Sequence, residues 1–365
     1  MFEFLKLNPD AFGLDISDAS LKILKLKKKG NYFDLDFFGE QSIEHGVIEE
    51  GKIKKEKILA KIIRNALNKI KGKKIKTKHV FVSLSEKKSF SKVIKMPLME
   101  EEELKKAIFF ETENYIPFSI KNVYLDFQIV PPIYKHIDHL DVLITAMPKK
   151  IIDPYLSCVK KADLLPIIIE TNAQSMARAL VENELSPLPI LLIDLGPIDS
   201  TLVVFYGHSL RFTSSISISS QKFNESISMA LSVDAKKADR LKTKYGVGKP
   251  KSKEGKRVFN ALIPCLTDLR EQINKYIDYY YTHTVNKRSP SDERKIEKVY
   301  LSGEGANLNG LPDFLSMELK IPVKKGNPWA NILEKPFRSV PELSFERSLG
   351  YTAALGLALR AIKHK

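Results

Sequence analysis

Cysteine is scarce in this sequence: Cys158 and Cys265 are the only two in 365 residues. That excludes a disulfide framework, and the pair shows no metal-like spacing. A reducing compartment fits such usage. No window approaches the eighteen or so consecutive apolar residues of a membrane span, and the opening MFEFLKLNPDAFGLD lacks a signal-peptide pattern, so a cytoplasmic protein is expected. Arginine is also rare, 11 of the 59 basic residues. The net charge of +15 would attract nucleic acid or an anionic membrane. Lysine, however, is the weaker residue for bidentate phosphate recognition, and the clusters Lys27-Lys28-Lys29 and Lys69 to Lys78 have no aromatic interleaving. Nucleic acid is therefore not expected as a partner, whereas a weak attraction to acidic lipid headgroups fits. The seven histidines are dispersed and point to no catalytic group.

What is present describes a soluble globular chain: 43% apolar and 28% charged residues, long enough to need two or more domains. Two segments share one design. Phe12 to Leu26, FGLDISDASLKILKL, and Leu191 to Tyr206, LLIDLGPIDSTLVVFY, each run from an apolar strand through an Asp and a small polar turn into a second apolar strand. Between them, Lys54 to Lys74 has the period of an amphipathic surface helix. A compact α+β unit is predicted over residues 79–165, with strands at His79 to Leu84, Phe90 to Lys95, Tyr124 to Val130 and Leu140 to Ala146. Its helices begin at Glu100 and near Lys149. After the second hairpin come helices near Gln221 to Tyr245 and Val258 to His283, flanked by polar loops at Gly246 to Arg257 and Val285 to Lys295. The strand Lys298 to Leu301, a Gly-containing loop, a helix and a last helix from Phe345 to Lys363 complete the chain.

Placed face to face, two such hairpins converge their turns, and turns of small residues expose backbone N–H groups that bind anions. Asp15 and Asp194 would supply the one or two carboxylates that a hydrated Mg²⁺ prefers. Ser17, Ser20, Gly196, Ser200 and Thr201 fill the turns, and Lys22 would reach a terminal phosphate. Taken singly, either hairpin is ordinary turn chemistry; the matched pair carries the argument. The third element is Val299 to Leu311, where a strand ends in Ser302-Gly303-Glu304-Gly305-Ala306 and lets the backbone approach a flat base.

Asp-hairpin, Asp-hairpin, Gly-loop is the order found in the superfamily of actin, heat-shock chaperone ATPases and sugar kinases. In detail the sequence resembles PilM, the family of actin-like type IV pilus assembly proteins, over nearly its whole length. Further residues that carry the resemblance are Lys95-Met96-Pro97-Leu98, Glu103-Leu104, the block Glu111-Thr112-Glu113-Asn114-Tyr115-Ile116-Pro117-Phe118, and Asp126. To these add Ala238-Asp239-Arg240-Leu241-Lys242, Tyr276-Ile277-Asp278-Tyr279-Tyr280 and Gly356-Leu357-Ala358-Leu359-Arg360.

The resemblance implies an α/β, two-lobed, actin-like (ribonuclease-H-like) ATPase fold with an α+β insert in the first lobe and a helical insert in the second. Its divisions would be 1–78 with 166–186 (first core), 79–165 (first insert), 187–213 with 297–365 (second core) and 214–296 (second insert). ATP and Mg²⁺ would lie between the lobes. Asp15, Ser20 and Lys22 would form the first phosphate loop, Asp194, Gly196 and Thr201 the second. Gly303, Gly305 and Ala306 would face the adenine, and Asp239 and Lys242 would hold the ribose. The implied role is an assembly scaffold, at most a weak ATPase, whose nucleotide biases domain closure. Its groove between first core and first insert would take the N-terminal cytoplasmic tail of a PilN-like bitopic inner-membrane protein, alongside other pilus assembly proteins. The protein would thus sit peripherally on the inner membrane through its partner. An FtsA-like division protein would carry a C-terminal membrane helix, whereas this chain stops at Ile362-Lys363-His364-Lys365. A small-molecule kinase would need an Asp base and a polar sugar cluster, and neither stands out. Ser17, Asp18, Ala19, Ser219-Ser220 and Glu304 depart from the family's usual Gly and small hydroxyl residues. Non-Gly residues are costly at positive φ, and carboxylates beside phosphates repel unless a cation intervenes.

Overall fold

The computed structural model describes residues 9–133, 138–248, 252–283, 295–334 and 341–363. The predicted loop Val285 to Lys295 lies almost wholly outside them, as does the middle of Gly246 to Arg257.

The first lobe opens with the hairpin β1 (Phe12–Ile16) and β2 (Ser20–Lys29), extended by β3 (Tyr32–Ser42). The two-residue strands β4 (Ile48–Glu49) and β5 (Lys52–Ile53) lead to helix α1 (Glu56–Leu67), after which β6 (Lys71–Gly72) returns to the edge of β3. Helix α1 is shorter than the Lys54 to Lys74 pattern, because the chain leaves it to build that edge. Next comes β7 (His79–Leu84), whose run of buried residues is that of a strand covered on both faces. It pairs in parallel with β1, Asp15 opposite Ser83. The expected division at residue 79 is thereby corrected: β7 belongs to the first sheet, not to the insert.

The insert itself consists of β8 (Phe90–Met96), α2 (Glu101–Glu113), β9 (Val123–Val130) and β10 (Leu140–Pro148), a three-stranded antiparallel sheet ordered β8-β10-β9 and covered by Leu104 and Ile108 of α2. The following helix α3 (Lys149–Lys161) buries Ile152, Tyr155, Cys158 and Val159 in the first-lobe core, so it too departs from the predicted insert. Strand β11 (Leu165–Thr171) then completes a six-stranded sheet, β11-β7-β1-β2-β3-β6.

Helix α4 (Asn172–Leu180) starts in a capping box of Thr171 and Gln174. In the second lobe β12 (Ser186–Leu195), β13 (Ser200–Gly207) and β14 (Ser209–Ile216) form an antiparallel meander. The single helix expected near Gln221 to Tyr245 is two, α5 (Ser220–Leu231) and α6 (Ala235–Tyr245). Ser232 ends the first at φ 53° and Asp234 caps the second. The long α7 (Lys253–His283) packs against α5 and α6. Strand β15 (Lys298–Ser302), α8 (Leu311–Leu319) and β16 (Val323–Lys325) give a five-stranded sheet, β14-β13-β12-β15-β16. The predicted last helix is broken at Tyr351 into α9 (Phe345–Gly350) and α10 (Thr352–Lys363).

The lobes exchange helices. α10, from the second half of the sequence, packs on β1 and β2, while α4, from the first half, buries Met176, Ala177 and Leu180 against Leu192, Val203 and Phe205 of the second sheet. The two helices cross so closely that a Cβ on Gly356 would lie 1.8 Å from the Ser175 carbonyl oxygen, and only glycine fits there. Glu170 at the end of β11 accepts from Ser175 Oγ at 2.5 Å, from Arg178 at 2.6 and 3.0 Å, and from Arg360, joining the first sheet to both helices. Among the described residues no helix is long and apolar enough to cross a membrane.

Candidate functional site

The turns of the two matched hairpins meet. Asp15 closes β1 opposite Lys22 and Ser83, and Ser83 Oγ donates to its carboxylate at 2.7 Å. Asp194 closes β12 opposite Thr201 and Ser302. Both carboxylates, with Ser17, Lys22, Gly196, Thr201, Gly303 and Glu304, line one cavity between the lobes. Its wall also holds Asn172 at the start of α4, whose Oδ1 is buried without a hydrogen-bond partner.

Burial pushes the Asp15 carboxyl above its ordinary range, with Lys22 and Ser83 opposing. Asp194 is pushed up to about 7, first by burial and then by its neighbours Asp15, Asp199 and Glu304, again against Lys22. The Lys22 ammonium is the shared counterion. Burial would lower it, but Glu304, Glu40, Asp15 and Asp194 together hold it above its ordinary range. It lies 3.3 Å from Glu304, 3.6 Å from Glu40 and 3.4 Å from Ser20 Oγ, over the ring of Tyr351.

The first turn closes without a glycine. Ser17 Oγ accepts from the Ser20 N–H at 3.1 Å and donates to the Ser20 carbonyl at 2.9 Å, and no residue in either turn has positive φ. The expected cost of Ser17 is therefore not incurred. The two carboxylates that depart from the family pattern have cations beside them: Glu304 has Lys22, and Asp18 has Lys87. Lys87 was not anticipated from the sequence. It follows β7, reaches Asp18 at 3.0 Å and Asp199 at 2.8 Å, and so ties the first turn to the second. Its neighbour Glu86 is buried, and its Oε1 accepts from Thr213 of β14 at 2.8 Å. The pair Glu86-Lys87 therefore spans the cleft twice. A signal existed, since ligands collect beyond the carboxyl ends of parallel strands, but it needed the knowledge that β7 lies beside β1.

Other sequence-derived residues lie elsewhere. Ser200 Oγ donates to the Ile218 carbonyl at 2.5 Å and serves the fold. Gly303, at φ 80°, must be glycine, because a Cβ would meet Asp194 Oδ1 at 2.4 Å. Gly305 instead lies against Leu195 and Ser220, and Ala306 is wholly buried in the second-lobe core, so neither lines the cavity. Asp239 and Lys242 pair with each other at 3.0 Å on α6, away from the cavity lining.

Could these residues hold a magnesium nucleotide? The donors are hard oxygens with two ammonium groups, an orphaned Asn172 oxygen and the capped start of α4, which suits a phosphate and a Mg²⁺ that keeps most of its ligands from water and phosphate. Among the described residues no cluster could cage a metal by itself. The cavity as it stands is about 40 Å³, whereas small-molecule sites measure roughly 300–1,000 Å³. The chemistry fits, and the space requires the lobes to part.

A second, larger cavity of about 700 Å³ lies between the first lobe and its insert. It is lined by Leu125, Phe127 and Leu143 of the insert, by Ile152, Leu156 and Ile168 of the first lobe, by Glu170, Arg178 and Arg360, and by Phe205 and Leu210 from the second lobe.

The sequence matches the family described as type IV pilus assembly protein PilM over residues 13–362. A solved structure described as the PilM-PilN type IV pilus biogenesis complex is similar at a TM-score of 0.78 and 25% identity, covering 97% of this chain and 99% of that one. The ethanolamine utilization protein EutJ from Carboxydothermus hydrogenoformans is 12% identical at a TM-score of 0.54, with 95% and 88% of the two chains covered. MreB5 of Spiroplasma citri, solved with ADP, is 12% identical at 0.54, with 97% and 96% covered. The likeness to EutJ and MreB5 shows the two-lobed actin-like fold. By the match over residues 13–362, this chain belongs to the PilM family of type IV pilus assembly proteins.

Proposed function

We propose that this chain is an actin-like assembly scaffold of the type IV pilus machinery that binds ATP-Mg between its lobes and the N-terminal tail of a PilN-like bitopic inner-membrane protein in the 700 Å³ groove. The observation that carries the reading is that groove, lined by the insert sheet, α3, β11 and α4 and large enough for an extended peptide or a short helix. The solved relative is itself a complex of PilM with PilN. Attachment to the inner membrane would be peripheral, through that partner.

Asp15 and Asp194 would hold the magnesium, while Ser17, Lys22, Gly196 and Thr201 would surround the phosphates. Bound there, the ion supplies charge neutralisation for the phosphate tail. Lys87, paired with Asp18 and Asp199 across the two turns, would add positive charge beside the phosphate tail. The division of the chain into first core, first insert, second core and second insert belongs to this reading, with the insert limited to β8 through β10.

Calorimetry with N-terminal tail peptides of membrane proteins encoded beside this gene tests the groove. A tail should bind the natural chain and bind Asp126→Lys and Leu156→Asp at least about tenfold more weakly, a loss of roughly 1.4 kcal/mol. Equal affinity for all three chains overturns the groove assignment. In parallel, Asp194→Ala should abolish Mg-ATP binding with the fold intact, and unchanged affinity would reduce the two hairpins to ordinary turns.

A further inference from the structure

The excess positive charge is concentrated. Between Lys54 and Lys78 ten lysines and Arg64 face one acidic residue, Glu56, so these 25 residues carry +10 of the chain's +15. All eleven cations are exposed. Helix α1 turns Leu59, Ile63 and Ala66 into the first-lobe core and presents Lys57, Lys61 and Arg64 as a stripe on its outer side. The chain then joins the edge of the first sheet as β6, where the Lys73 N–H donates to the Asp36 carbonyl at 3.0 Å. It crosses the end of that sheet until Thr77 Oγ1 donates to the Asp10 carbonyl at 2.5 Å. Lys69, Lys71, Lys74 and Lys76, all exposed, lie on this segment that follows α1. Among the described residues few of these charges meet carboxylates: Lys54, Lys73 and Lys78 reach Glu49, Asp36 and Asp163 at 3.8, 3.9 and 2.5 Å, while Glu56 is taken by Lys161 at 2.7 Å. Ile58, 39% exposed, sits among the cations.

We propose that this belt docks the first lobe directly on an anionic bilayer surface, a second membrane contact beyond the tail-binding groove. Three observations select lipid as the occupant. The belt contains no aromatic residue, so it offers no stacking platform for bases. Its cations are lysines with one arginine, mobile point charges that suit a fluid headgroup layer better than fixed bidentate recognition. It also adjoins the groove, because α1 packs on α3, and α3 supplies Ile152 and Leu156 to the groove lining. A tail leading out of that groove to a membrane span brings the belt near the headgroups. That orientation rests on the groove reading; the charge of the belt does not.

The test is co-sedimentation of the full chain with vesicles of phosphatidylcholine alone and of phosphatidylcholine mixed equally with phosphatidylglycerol. Binding is expected only to the anionic vesicles and should fall as salt rises. Each headgroup-facing lysine is worth about a fivefold change in partitioning, so Lys57→Glu/Lys61→Glu/Lys71→Glu/Lys74→Glu should weaken it by about a hundredfold or more. A charge-matched variant on the basic helix of the second lobe, Lys236→Glu/Lys237→Glu/Arg240→Glu/Lys244→Glu, should retain it. Equal binding by the fourfold variant, equal loss in the α6 variant, or retention of duplex DNA by this face without vesicle binding would each overturn the proposal. Tail-peptide calorimetry on the fourfold variant keeps the two readings apart. Unchanged peptide affinity with lost vesicle binding supports the belt, whereas a natural chain that binds vesicles but no tail removes only the groove reading.

Discussion

Lys87→Met is the most informative single change, because it removes the cation that joins the two hairpin turns and leaves the side chain's length in place. In the native fold burial works against the ammonium, but Asp199 and Asp18 more than compensate and hold it above its ordinary range. Without it Asp18, whose side chain is 6% exposed, keeps, among the described residues, only the Gly51 N–H at 3.1 Å as a partner. Breaking one side of a buried ion pair costs about 3–5 kcal/mol. Lys87 and Asp199 retain 16% and 24% exposure, so water recovers part of that, and about 2–3 kcal/mol is expected once screening is allowed for. Urea unfolding should show the loss. A double-mutant cycle with Asp199→Asn should give a coupling of about 0.5–3 kcal/mol, the range for contacting residues. Hydrogen exchange at the turns 16–20 and 195–200 should quicken as the lobes part. A change below about 0.5 kcal/mol with unaltered exchange would refute the reasoning, since Lys87 would then behave as an ordinary surface residue.

The Glu170 cluster predicts an acid limb. Burial would raise this carboxyl, yet Arg178, Arg360 and Ser175 hold it below its ordinary value of 4.5. Its contribution is therefore full above pH 4.5 and is lost as pH falls through the lower folded value. Glu170→Gln should flatten that part of the stability-against-pH curve while lowering stability near neutrality; an unchanged acid limb would show that the cluster does not set it. Gly356→Ala forces a methyl group toward the Ser175 carbonyl and should cost at least about 1–3 kcal/mol in thermal or urea unfolding. Wild-type stability in that variant would mean that α4 and α10 separate freely.

How much of this was legible in the sequence follows from which interactions are local. Each hairpin is encoded by an apolar strand, an Asp and a turn of small polar residues within about fifteen positions, so both could be recognised along with their shared design. The helical period of α1 is likewise local, whereas the glycine at 303 is visible in the sequence but owes its necessity to Asp194, a contact distant along the chain. Even there the ends slipped, because α1 gives way to a sheet edge and α5 to α6 through one left-handed serine, choices made by neighbours rather than by the periodicity itself.

The sequence by itself determined the residue types: two carboxylates at strand ends, lysine rather than arginine, and an apolar period for nearly every element. Tertiary structure alone decided which of them meet. Lys87 and Asp199 are 112 positions apart: the parallel pairing of β7 beside β1 sets Lys87 next to Asp18, and the packing of the second lobe on the first then brings Asp199 to 2.8 Å. The same holds for the exchange of α4 and α10 between the lobes, since an apolar stripe states that a helix must be covered but not by which sheet. Local chemistry is written in neighbouring residues, whereas partnership across a cleft depends on how the whole chain closes.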